Sequence, residues 1–267
     1  MGWAWKLGLT VVSVVLVLML ARLGGRRGAG MVAALPTITA PALAWLAHDH
    51  GDGFAAEAAV ASVAACALLA VFAVVHAHVA RYRGVATTLC CGLVAAALFA
   101  EPVARASTTL VAALSVAVGA CVLALLCLPR PPRGALGGIR TPLAATALAA
   151  GALGALTTLA APLFGSVVCG LLASLPLVSG AVAASEHASV GHAGVAQFHR
   201  GYVCGLVSRA SFCATFALLA VSLGWLQASL VAASCAAGIG LLMHRVGASG
   251  GRGAPSASAA DLLPEAG

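Results

Sequence analysis

The chain has 267 residues, of which 62% are hydrophobic and only 8% charged, with a formal net charge of +7. A soluble domain carries about a quarter charged residues, so a water-soluble globule is excluded, and disorder of the bulk is excluded by the same apolar richness. What remains is an all-α, polytopic integral membrane protein whose first partner is the lipid bilayer.

A bilayer core takes roughly 20 apolar residues of helix. In chain order the segments that meet or approach this are 3–22, 29–47, 54–79, 84–100, 106–128, 142–162, 164–184, 198–221 and 224–244, about nine spans. The first is followed by Ala21-Arg22-Leu23-Gly24-Gly25-Arg26-Arg27. That reads as a basic anchor rather than a cleavage site, so the span is expected to be retained. The second and seventh carry internal prolines, Pro36 and Pro176. Residues 1–247 read as one transmembrane domain, and 248–267, rich in Gly, Ser and Ala, as a disordered tail.

The basic residues set the orientation. With the amino terminus outside, eleven of the fourteen Lys and Arg fall in cytoplasmic loops, among them Arg26, Arg27, Arg81, Arg83, Arg130, Arg200 and Arg245. This is the positive-inside pattern. A multi-pass protein of the cell membrane, of the bacterial inner-membrane kind, with its carboxyl terminus in the cytoplasm, is therefore expected. No basic run has interleaved aromatics, which excludes nucleic acid as a partner. The nine cysteines all lie in apolar stretches without a CxxC motif and read as packing residues.

An internal repeat is visible at an offset of 140: Gly30-Met31-Val32-Ala33-Ala34-Leu35-Pro36-Thr37-Ile38-Thr39-Ala40 aligns with Gly170-Leu171-Leu172-Ala173-Ser174-Leu175-Pro176-Leu177-Val178-Ser179-Gly180. The offset pairs Glu57 with Gln197, and a four-residue insertion would pair Phe72-Ala73 with Phe216-Ala217. Spans 1–4 (3–100) and 6–9 (142–244) would be two halves joined by the span 106–128. Five spans separate equivalents, so the halves would face opposite ways, the inverted topology of many secondary transporters.

Candidate chemistry follows from cost. Proline frees a carbonyl one turn back, and in lipid that carbonyl must be satisfied by protein, water or ligand. Pro36 and Pro176, with the hydroxyls of Thr37, Thr39 and Ser179 just beyond, are thus candidate solute-binding elements, against the alternative of simple packed kinks. Arg209 lies eleven residues beyond Phe198, about 16 Å into its span. It keeps its proton, so it needs an anionic ligand or an ion pair, for which Glu57 and Glu186 are the available acids. Glu57 is the acid inside a predicted span and a candidate for proton coupling; the alternative is a dipole-favoured helix start. His76, His78, His187, His192 and His199 read as polar residues at membrane edges. No HExxH or comparable spacing points to a metal, no cofactor motif is present, and no paired acid and base suggests an enzyme.

The sequence therefore predicts a secondary transporter or exporter of a small solute. The alternative is a non-catalytic membrane subunit or assembly factor that packs against a partner helix or a second copy of the chain.

Overall fold

The computed structural model describes residues 25–106, 108–130 and 163–249, with isolated positions at 8, 11, 12, 15, 19 and 159. The predicted spans 3–22 and 142–162 and the tail 248–267 fall outside the described residues, apart from those isolated positions and Ala248-Ser249. All regular structure among the described residues is helical. The helices are α1 (Gly25–Ala33), α2 (Thr39–His50), α3 (Asp52–Val79), α4 (Val85–Leu98), α5 (Ala100–Ala106), α6 (Leu110–Cys127), α7 (Leu163–Leu172), α8 (Leu177–Val190), α9 (His192–Leu223) and α10 (Trp225–Ser249).

Five stretches among these residues are long and apolar enough to cross a membrane: α3, Val85–Arg105 (α4 with α5), α6, α9 and Trp225–Met243 of α10. They divide into two layers. The apolar windows of α3 and α9 are 72% and 50% buried, whereas those of the other three are 11–22% buried. α3 and α9 cross each other at the centre, and the remaining helices pack around them. Outer-layer side chains such as Leu98, Val111, Leu126, Leu230 and Leu241 are 65–77% exposed. Leaving such a residue in water forgoes about 1.5–3 kcal/mol, so these faces fit a lipid-covered surface.

The centre is built from small residues. Ala55, Ala58, Ala59, Ser62, Ala64, Ala65 and Cys66 line the buried side of α3. In lipid, helices associate through close backbone packing rather than hydrophobic exclusion. Two glycines allow the closest approaches: a Cβ on Gly30 would lie 2.1 Å from the Phe198 carbonyl oxygen, and one on Gly170 would lie 2.1 Å from that of Ala58.

The predicted spans 164–184 and 198–221 leave a loop over 185–197. Instead α8 runs to Val190 and α9 begins at His192, with Gly191 alone between them. Ala and Val keep 177–190 helical, and Gly191, at φ 78°, turns the chain where a side chain would be strained. Gly51, at φ 90°, makes the same turn between α2 and α3. The predicted spans 29–47 and 164–184 are each two helices, parted at 34–38 and 173–176.

Candidate functional site

The two interruptions share one local geometry. Leu35 N donates to Val32 O at 3.1 Å and Leu175 N to Leu172 O at 3.1 Å, each a tightened last turn before proline. Beyond it, Ala40 N donates to Pro36 O at 2.7 Å and Gly180 N to Pro176 O at 2.7 Å, each starting the next helix. Proline, which lacks a donor, stands in both cases where the ladder stops.

The broken ends meet. Thr39 Oγ1, in the first turn of α2, donates to Ala173 O in the second interruption at 3.0 Å. Arg209, on α9 and 6% exposed, donates through Nη2 to Thr39 Oγ1 and, at 3.4 Å, to Ala173 O. One guanidinium thus ties together a residue from each break, and it satisfies the carbonyl that the second break frees. Ser179, at the start of α8, donates its hydroxyl to Tyr202 Oη at 3.1 Å, again on α9. Cys66, Cys213 and Tyr202 lie within electrostatic reach of the guanidinium.

The ion pair with Glu57 or Glu186 does not form: among the described residues no carboxylate lies within salt-bridge distance of Arg209. The structure accounts for five of the seven acids, and the other two, Asp261 and Glu265, belong to the tail. A buried cation with neutral hydrogen-bond partners keeps unspent attraction for an anion. Its Nε has no hydrogen-bond partner among the described residues.

Pro36 and Thr37 stand apart from this cluster, in the lining of a cavity of about 330 Å³ with Leu35, Ala40 and Phe212. Pro176 lines another of about 250 Å³ with Ser174, Leu175 and Leu69. Glu57 is not brought to Arg209. It is exposed, accepts a hydrogen bond from Ser166 Oγ at 2.7 Å, and opens on a cavity of about 290 Å³ lined also by Val60, Ala104, Thr108 and Val167.

Sequence reasoning missed one cluster. His76 and His199 were placed at membrane edges, yet both are fully buried where α3 crosses α9. Their facing nitrogens, His76 Nδ1 and His199 Nε2, are 3.2 Å apart. The pair is walled by Phe72 and Phe198, and His187 of α8 stands 6.3 Å from His76 between ring centroids. The available signal was the i, i+4 spacing that stacks Phe72 on the same helix face as His76. Among the described residues, no three metal-ligating side chains are placed to share an ion. No family model matches the chain, and neither a curated protein nor a solved structure is similar to it.

Proposed function

We propose that the chain is a secondary transporter or exporter that binds a small solute where its two interrupted helices meet. The observation that carries this reading is the bridge from Arg209 to Thr39 and Ala173. Paired discontinuous helices near the bilayer midplane are where such transporters hold their substrates. A buried arginine without a carboxylate there is a functional group by default. Thr39, Ser179 and Arg209 hold the solute; Pro36 and Pro176 create the breaks, and Thr37 lines the adjoining cavity. The protein lies in the cell membrane, crosses it about nine times, and has its carboxyl terminus in the cytoplasm.

An inverted repeat underlies this mechanism, and several contacts support it at the offset of 140 that Cys66 Sγ and Leu206 O span as they meet. Gly30 on Phe198 and Gly170 on Ala58 are one contact made twice, since 30 becomes 170 and 58 becomes 198. The turns at Gly51 and Gly191 obey the same offset. So do two cavities, one of about 250 Å³ at Ala65, Leu171, Leu175, Ala96 and Ala100, the other of about 420 Å³ at Gly205, Met31, Leu35, Ala236 and Gly240. On this reading one register serves from α1 to α10 with no four-residue insertion, and Phe72 stands opposite Phe212. Residues 66 and 206 touch each other, as residues on a pseudo-twofold axis do. Rocking one half about that axis would open the closed Arg209 site to alternate sides.

The test is thermal stabilisation of the purified protein by a panel of inorganic and carboxylate anions, followed by uptake of the best one into proteoliposomes. Stabilisation that disappears in Arg209→Ala, with uptake lost in the same variant, is expected. Equal stabilisation of both proteins, or co-purification of a stoichiometric partner with no anion effect, overturns the reading in favour of a membrane subunit. Carboxyl-terminal fusions to a fluorescent protein and to alkaline phosphatase test the orientation: fluorescence without phosphatase activity is expected.

A further inference from the structure

His76 and His199 lie outside the solute site, buried and hydrogen-bonded to each other across the two central helices. Their outward nitrogens, His76 Nε2 and His199 Nδ1, are also buried and have no hydrogen-bond partner among the described residues. An unbonded polar atom in an apolar core is costly to bury, and this pair has two of them. Two packed apolar side chains would fill the space without that cost. We propose that the His76–His199 pair is a proton relay across the crossing of α3 and α9.

The chemistry follows from one shared hydrogen bond. A neutral imidazole carries one N–H and one bare nitrogen. If His76 Nδ1–H donates to His199 Nε2, then His76 Nε2 is bare and His199 Nδ1 carries hydrogen. If His199 donates instead, the two outward nitrogens exchange roles. In either case the pair offers one bare nitrogen at one end and one N–H at the other. A proton entering at His76 Nε2 makes that ring imidazolium. Its Nδ1 proton then passes to His199 Nε2, and His199 releases the proton on Nδ1. One proton has crossed, both rings are neutral again, and the pair is left in the opposite tautomer. A second passage in the same direction requires the hydrogen bond to break and the rings to reset. The rings sit on different helices, so a movement of α3 against α9 does this.

The neighbouring groups give the relay two ends. From α8, His187 faces His76, and the Glu186 carboxylate lies buried against Gly194 of α9. Burial and the nearby His192 hold His187 below the ordinary histidine value, partly opposed by its hydrogen bond with the Ala80 backbone. From α9, Tyr202 stands 6.1 Å from His199 between ring centroids and leads to Ser179. Arg200 is turned away, onto the carbonyls of Leu125 and Leu128. His78 of α3 is turned to Val74 O, Arg81 beyond α3 is exposed, and Arg27 of α1 presents its backbone to Gly201. The end near His187 meets the backbone of Ala80, next to Arg81 in the chain. Arg209 lies ten residues beyond His199 on α9, or about 15 Å.

The relay is tested with the full chain in phosphatidylethanolamine–phosphatidylglycerol vesicles holding a trapped pH dye, with valinomycin and potassium clamping the potential. After an imposed pH step, the wild-type vesicles are expected to equilibrate faster than protein-free ones. His76→Gln and His199→Gln are expected to fall to the protein-free rate, since glutamine keeps a hydrogen bond but cannot pass a proton on. His48→Gln, in an exposed corner, keeps the wild-type rate, and anion stabilisation of His76→Gln, read separately, tells failure of the relay from failure of the solute site. A wild-type rate equal to that of protein-free vesicles, or wild-type rates in both glutamine variants, overturns the proposal. Should the variants fold poorly, histidine ¹⁵N spectra of the unsubstituted protein in lipid decide. Exchange between the two tautomers supports the relay, and a pair frozen in one tautomer from about pH 5 to about pH 8 overturns it.

Discussion

Gly30→Ala and Gly170→Ala probe the centre of the molecule with one methyl group each. The added carbon would lie 2.1 Å from Phe198 O and 2.7 Å from Tyr202 N in the first case, and 2.1 Å from Ala58 O in the second. Side-chain carbons do not approach backbone this way, and 3.0 Å is already tight, so the helices must part by roughly 0.9 Å along that line. Backbone cannot rotate aside as a side chain can, and the strain falls at the overpacking scale of about 1–3 kcal/mol. Helix propensity pulls the other way, since alanine is favoured over glycine by about 0.8–1.0 kcal/mol in a helix interior. The net expectation is therefore a loss of zero to about 2 kcal/mol for each, of similar size in the two variants. Gly119→Ala, on α6 with nothing within 4 Å of its Cβ, keeps only the propensity gain. The assay is reversible unfolding of the purified protein in mixed detergent or bicelles. If Gly30→Ala and Gly170→Ala are as stable as Gly119→Ala, the close crossing of α1 on α9 and of α7 on α3 is wrong, and the support for a repeat goes with it.

Other expectations can be checked on the same preparation. Arg209→Lys should weaken anion stabilisation at least about tenfold, about 1.4 kcal/mol, because an ammonium that holds Thr39 and Ala173, as Nη2 does, has no second nitrogen to turn to a ligand; unchanged stabilisation would deny the bridge a role. Thr39→Val should weaken it too, since it removes the hydroxyl that receives Arg209 while keeping the volume. His187 lies beyond the predicted span 164–184, and its pKa is held below the usual histidine value chiefly by burial. The folded state then binds the proton less readily than the unfolded chain, so stability is full above the ordinary value near 6.5 and falls as pH drops below it. His187→Gln should flatten that acid limb of a melting curve taken against pH. Cys90, Cys127 and Cys235 are exposed on α4, α6 and α10, the outer layer. A charged maleimide added to intact membranes should miss all three and label them after denaturation in SDS; labelling in intact membranes would place those faces against water.

The sequence was legible where membrane physics restricts it. Lipid tolerates an unpaired backbone group only at a price, so Leu35-Pro36 and Leu175-Pro176 announced their interruptions and the hydroxyls that follow. Arg209 was legible for the same reason, as a charge that cannot be shed. Its partner was not. Glu57 and Glu186 were the acids in reach by composition, but reach depends on which face of α3 and α9 looks inward. Among alanines and valines that periodicity is nearly silent, because a helix apolar all round shows no preferred face. Glu57 turns out toward Ser166. The corner at Gly191 was hidden by the cluster of Glu186, His187, His192, His199 and Arg200, which reads as a solvated loop. A single glycine of positive φ was enough to make it a helix–helix corner, and that corner carries His199 into the core.

What the proposed repeat leaves unequal is as informative as what it repeats. At the offset of 140 set by Cys66 and Leu206, the frame is matched: glycine with glycine at 30 and 170, and at 51 and 191, and proline with proline at 36 and 176. The chemistry is not. Arg209 stands opposite Leu69, His199 opposite Ala59, and Tyr202 opposite Ser62. His76 stands opposite Phe216. A protein that worked only by packing would gain nothing from placing a guanidinium and an imidazole on α9 where α3 has leucine and alanine, since each costs more to bury. A transporter gains a direction. Two equivalent halves provide two ways of opening, and a guanidinium carried by one of them alone, beside a relay whose two rings stand opposite alanine and phenylalanine, makes those openings unequal. On this reading, Leu69→Arg with Arg209→Leu moves the guanidinium to the other half. Anion stabilisation should then return only in part, because position 69 would meet Ser179 and Ala33 in place of Thr39 and Ala173. Full recovery would mean that the halves are interchangeable and that the asymmetry has no role.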